Sequence, residues 1–320
     1  MNRKYWIDLL RGFAIILIVL GHFYQGFLFT QYIYIFHVPL FFVISGMCYN
    51  TQDISFRKFI IYKIKALIIP YLCFGIVIIP MAYWLDGAYT IFGGIQVLIW
   101  YLVQRRFTTM WFLTTLFCTE VIFKAIHNYA NKFRNSKIVV LCISLVVSSL
   151  FIIYEYVVNI ELPWNFDLAM VCLLFYSMGY LLKDFENNYK KEYIKTGILM
   201  FALGMLLGSV SINISSRRLD IFYGELGMPM IGVLGALFAC IGLVLVFSRF
   251  PHIYGLEKIG CHTMTIFALH QMVFKQLFLK ILHFDGWMMI LVACCITISI
   301  CFFIDVFISN SSLKWIIGKH

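Results

Sequence analysis

The sequence predicts an all-α polytopic membrane protein of about ten transmembrane helices plus one re-entrant or interfacial helix, with both termini cytoplasmic. Three observations lead there. Of 320 residues, 62% are hydrophobic and 12% charged, whereas a soluble domain is near half apolar and a quarter charged. Apolar stretches close to the roughly 20 residues of a membrane span recur along the whole chain. Basic residues collect in alternate loops, as they do on the cytoplasmic side of a bilayer. The 32 Phe, 19 Tyr and 7 Trp demand burial and exclude a disordered or fibrous chain.

In order, the apolar segments fall at 5–24, 33–49, 59–84, 110–127, 138–157, 168–182, 194–212, 226–247, 263–282 and 288–309. The first begins MNRKYWIDLL, a basic start like that of a signal peptide, but Asp8 and Arg11 interrupt its apolar run and no small-residue cleavage site follows. It reads as a retained helix. Segment 89–103 is short, aromatic and contains Gly93-Gly94. If it does not cross, the inner loops hold Arg3, Lys4, Arg57, Lys58, Lys132, Arg134, Lys137, Lys183, Lys190, Lys191, Arg249, Lys258, Lys314 and Lys319. The outer loops then hold only Arg105, Arg106, Arg217 and Arg218. Letting it cross destroys that bias, so it reads as re-entrant or interfacial. The net charge of +10 then reflects topology and points to no nucleic-acid partner. No fixed-period repeat or polar linker divides the chain, which reads as one domain over 1–320. The ten cysteines form no CxxC pair and read as packing residues.

Ionisable groups inside spans are costly and mark candidate sites. Helix one carries Asp8, Arg11 and His22. Asp8 and Arg11 can pair across one turn. Arg11 and His22 are eleven residues apart, which at about 100° per residue returns to nearly the same face, roughly 16 Å along. A stripe with a guanidinium at one end and an imidazole at the other suits a functional edge. His37 opens the second span beside Pro39, at a depth where it can face His22; a neutral imidazole is the usual general base near neutral pH. No third ligand supports a metal there. Arg57, Lys58, Lys63 and Lys65 crowd the inner end of the third span, either as a lipid anchor or as a cradle for an anionic ligand shared with Arg11. Glu120 and His270 read as lining a polar cavity with Asp8. At the outer face, Arg105, Arg106, Trp164, Asn165, Asp167, Arg217 and Arg218 read as an aromatic, charged rim suited to a sugar, or as an interfacial belt.

The runs WIDLLRGFAIILIVLGH and FHVPLFFVISG, with the later KIKALIIPY, MWFLTTLF and GCHTMTIFALHQ, resemble the integral-membrane acyltransferase family 3, and within it the fucose 4-O-acetylase-like proteins. The resemblance spans nearly the whole chain. It implies transfer of an acyl group, usually acetyl, from cytoplasmic acyl-coenzyme A to a hydroxyl of an envelope carbohydrate, lipid-linked or polymeric, at a bacterial cytoplasmic (inner) membrane. The family's helix-one Arg and His correspond to Arg11 and His22, and its second-helix His to His37. Lys63 and Lys65 stand where many relatives carry arginine. On this reading acetyl-CoA, or another acyl-CoA, is the co-substrate, held by Arg11, Arg57, Lys63 and Lys65. His22 acts as general base or transient acyl carrier, with His37 orienting it, and no metal takes part. The alternative is a transporter or flippase whose polar stripe forms a passage; no inverted repeat supports it.

Overall fold

A computed structural model describes residues 4–24, 26, 28–50, 54–87, 90–158, 160–183 and 193–319; Arg3, Lys190 and Lys191 lie outside the described residues. Helix α1 (Tyr5–Phe23) runs unbroken through the first apolar segment. The second span is bent: α2 (Leu28–Tyr34) gives way to α3 (His37–Met47). Pro39 explains the break, since its ring excludes the carbonyl four residues back from a continuous helix.

Helix α4 (Phe56–Lys63) continues through a π turn (Ile64–Ile68) into α5 (Ile69–Asp86). Pro70 has no N–H for the Ala66 carbonyl, so the turn widens where the helix would otherwise tighten. Helix α6 (Ile91–Val103) has 13 residues, about 20 Å, short of a hydrocarbon core near 30 Å. Its Thr90 side chain accepts from the Gly93 N–H at 3.1 Å, capping the first turn.

Helices α7 (Trp111–Ala130), α8 (Ser136–Val157), α9 (Phe166–Leu182) and α10 (Tyr193–Ser215) follow. A small antiparallel hairpin of β1 (Leu219–Asp220) and β2 (Glu225–Leu226) precedes α11 (Pro229–Phe247). Then come α12 (Tyr254–Cys261), α13 (Thr263–Leu269) with two π segments (His270–Lys275 and Leu277–Ile281), α14 (Trp287–Ser309) and a final 3-10 turn (Lys314–Ile317).

Among the described residues, eight helices are long and apolar enough to cross a bilayer, so the chain is an all-α, multi-pass integral membrane protein. The other two expected segments are helical as well: 110–127 falls in the 20-residue α7, which buries Glu120, Lys124 and His127. Segment 263–282 runs as α13 continued by two π segments.

Lipid offers no hydrophobic drive between helices, so close packing of small residues must hold them. A β-carbon placed on Gly46 of α3 would overlap the Tyr176 carbonyl of α9, and one on Gly179 of α9 would overlap the Val43 carbonyl of α3. Gly12 of α1 and Gly260 of α12 meet in the same reciprocal way, against the Leu256 and Asp8 carbonyls. These crossings fix α3 against α9 and α1 against α12 and thereby shape the interior.

Candidate active site

Residues 11, 15, 18 and 22 of α1 recur every three or four positions and form one stripe. That stripe is a wall of a cavity of about 250 Å³. The other walls are Val38, Phe41 and Ser45 of α3, Leu67 of the π turn, Trp111 to Leu113 and Leu116 of α7, and Thr263, Met264 and Phe267 of α13. Arg11 and His22 therefore open on one mostly apolar space, with Ser45, Thr109 and Thr263 as its few other polar groups.

At one end, Arg11 Nη1 lies 3.4 Å from Asp8 Oδ1 and Nη2 donates to Cys48 Sγ at 3.1 Å. Asp8 is buried behind Arg11 and orients it without lining the cavity. At the other end, the ring of His22 lies 5.1 Å from that of His270, centroid to centroid. His270 is fully buried and its Nδ1–H is shared between the Ile266 and Phe267 carbonyls at 3.0 and 2.9 Å. Among the described residues His270 Nε2 and His22 Nδ1 have no hydrogen-bond partner. Buried polar atoms normally find partners, so two orphans on adjacent rings single out this end of the stripe.

The Tyr34 ring packs against both histidines, 6.2 Å from the ring of His22 and 4.5 Å from that of His37. His37 Nδ1–H donates to the Ile33 carbonyl at 2.9 Å, which closes the backbone gap at the α2–α3 bend. The Arg218 guanidinium lies 4.0 Å over the Tyr34 ring and 2.7 Å from Asp220 Oδ2. Burial raises the Asp220 carboxyl to about 6, while Arg218 and the Phe222 N–H pull the other way. His270 as a neighbour of His22, and Tyr34 as a ring packed against both His22 and His37, emerge only from the packing. His270 lies in a recognisable motif, but nothing in the sequence pairs residues 22 and 270.

The other expected residues are placed as follows. Glu120 does not line the cavity: its Oε1 is 2.7 Å from Lys63 Nζ and accepts from the Tyr176 hydroxyl at 3.4 Å. Lys63 is thereby committed to an ion pair within the bundle. Arg57 and Lys65 remain exposed.

The outer rim divides. Arg106 is a buried clasp rather than a ligand-facing group: Nη2 lies 2.6 Å from Glu155 Oε2 and 2.7 Å from Asp167 Oδ2, Nη1 donates to the Tyr223 carbonyl at 2.8 Å, and its backbone N–H donates to Asn165 Oδ1 at 2.7 Å. Burial works against its charge, but the two carboxylates outweigh this and hold the guanidinium above its ordinary value. Asp167 is fully buried in the same clasp. Trp164 spends its indole N–H on the Leu102 carbonyl at 3.1 Å. Arg105 and Arg217 are exposed.

Among the described residues no three His, Cys, Asp or Glu side chains gather as metal ligands. No curated protein and no solved structure matches the chain. The family model for an acyltransferase domain, acyltransferase family 3, matches residues 4–306, a stretch that contains α1 with Arg11 and His22, the α3 wall and the His270 segment. A multi-pass bundle whose first helix presents that arginine and histidine to one cavity, matched over almost its whole length, is a member of acyltransferase family 3 and an acyltransferase of the membrane.

Proposed function

We propose that the protein is an O-acyltransferase that moves an acyl group, acetyl first among candidates, from cytoplasmic acyl-coenzyme A to a hydroxyl of a carbohydrate beyond the other face of a bacterial cytoplasmic membrane. The observation that carries this reading is the shared cavity of Arg11 and His22. The Arg11 end lies with the chain termini, where Lys319 reaches His262 and Asp305; on the positive-inside expectation this is the cytoplasmic end. There the Arg11 guanidinium suits the phosphates and amides of the donor, and the exposed Arg57 and Lys65 offer further cations for them. The slender apolar interior suits the thioester arm.

At the far end the acceptor hydroxyl meets His22. In the direct route the hydroxyl oxygen attacks the thioester carbonyl carbon, its proton passes to the His22 imidazole, the C–O bond forms, the C–S bond breaks, and the proton leaves with the coenzyme A thiolate as the free thiol. Alignment and one base suffice for a thioester. His270 Nε2 holds the hydroxyl in line, and His37 acts through Tyr34 as a positioning residue. Nothing in the fold favours a transport passage. Purified protein in liposomes with labelled acetyl-coenzyme A and envelope glycans tests the reading: label passes to glycan. Absence of transfer from any acyl-coenzyme A would overturn it.

A further inference from the structure

A second concavity, of about 540 Å³, opens beside the clasp formed by Arg106. Its walls are Tyr156 at the end of α8, Ser215 and Arg217 at the end of α10, and the hairpin from Tyr223 to Met228. Tyr156 and Tyr223 are 75% and 55% exposed, large aromatic faces left uncovered. Arg217 is exposed and only loosely paired with Glu225, at 3.9 Å. Glu155 completes the wall from below. Its side chain is buried; Oε2 is held by Arg106, but Oε1 has no hydrogen-bond partner among the described residues.

The hairpin is held rigidly. Arg106 grips the Tyr223 carbonyl, Asp220 caps the following turn at the Phe222 N–H, and Gly224 and Gly227 take left-handed conformations that suit residues without a β-carbon. Flat aromatic faces and an exposed guanidinium around a concavity floored by a buried carboxyl group suit a hydroxyl-rich ring: C–H faces to the tyrosines, ring and hydroxyl oxygens to the arginine. The concavity is also linked to the candidate active site. Trp111 lines the Arg11–His22 cavity, and its ring packs 5.7 Å from that of Phe222, the neighbour of Tyr223.

We propose that this concavity is a sugar-binding subsite for the acceptor, holding a ring some units away from the one that is acylated, so that the enzyme favours oligomeric over single-sugar acceptors. The proposal rests on the carbohydrate reading above. Tyr156 and Tyr223 are exposed, so Tyr156→Ala and Tyr223→Ala should leave the fold intact. Calorimetry on the detergent-solubilised full chain, with size-graded fragments of one to eight units from the host's envelope polysaccharide, is done in the His22→Ala background and compared with transfer kinetics in the parent. The paired tyrosine variant should weaken binding of the longest fragments roughly tenfold and raise their KM equally. It should leave single-unit acceptors and the KM for acetyl-coenzyme A unchanged. Equal effects on short and long fragments, or none, would overturn the subsite. Length-dependent, tyrosine-dependent binding without any acyl transfer would support the subsite while sinking the acyl-transfer reading.

Discussion

Removing Arg106 should cost a large share of the protein's stability, and the size of the loss follows from the geometry. The guanidinium side chain is 5% exposed and faces Glu155 at 1% and Asp167 at 0%, at 2.6 and 2.7 Å. Arg106→Met keeps the volume but leaves two buried acidic side chains without their cation. Breaking a buried pair from one side costs about 3–5 kcal/mol, mostly because the survivor is left uncompensated. That is roughly a hundredfold or more in the ratio of folded to unfolded protein. Thermal unfolding in detergent, followed by size-exclusion of the heated sample, reads it directly. The triple variant Arg106→Met, Glu155→Gln, Asp167→Asn should recover most of the loss, since no charge is then stranded. If Arg106→Met alone melts like the parent, the clasp is not the structural unit described here.

The other predictions concern packing, pH and donor use. Gly179→Val should collapse folded yield because its side chain would overlap the Val43 carbonyl, whereas Gly255→Ala, with open space around it, should be neutral by the same melting assay. Asp220 has a folded value raised to about 6 from an ordinary value near 3.8, so its contribution to stability is full below about pH 4 and is lost as pH rises through 6. Melting temperature should therefore decline over that window, and Asp220→Asn should flatten the decline. Arg11→Lys should raise the KM for acetyl-coenzyme A several-fold with a smaller change in kcat, because a point charge cannot reproduce the fork that reaches Asp8 and Cys48 together; an unchanged KM would remove Arg11 from donor binding.

Much of this architecture is legible in the sequence, and the boundary of legibility has a physical cause. Periodicity within one helix is local, so the eleven-residue spacing of Arg11 and His22 suffices to put both on one stripe, and Ile15 and Ile18 between them complete the cavity wall. The break before His37 follows from Pro39, and the π turn from Pro70. Contacts between distant segments are not local. Arg106 meets Glu155 and Asp167 across 49 and 61 residues, and no pattern in the chain distinguishes a rim arginine from a clasp arginine. Lys63 and Glu120 stand 57 residues apart and look, singly, like a donor-binding cation and a cavity acid. His270, where α13 passes into its first π segment, meets His22 across about 250 residues of chain. The apolar content of segment 263–282 shows that it is membrane-embedded but not that it winds as a π-helix, since π turns leave no periodic signature.

The most direct test of the central claim is a single-turnover reaction of His22→Ala with labelled acetyl-coenzyme A and acceptor glycan, alongside the parent and at matched melting temperature. Loss of glycan labelling with donor binding retained is the predicted result. Labelling at the parent's rate would contradict the account, because the cavity joining Arg11 to His22 would then have no part in the transfer.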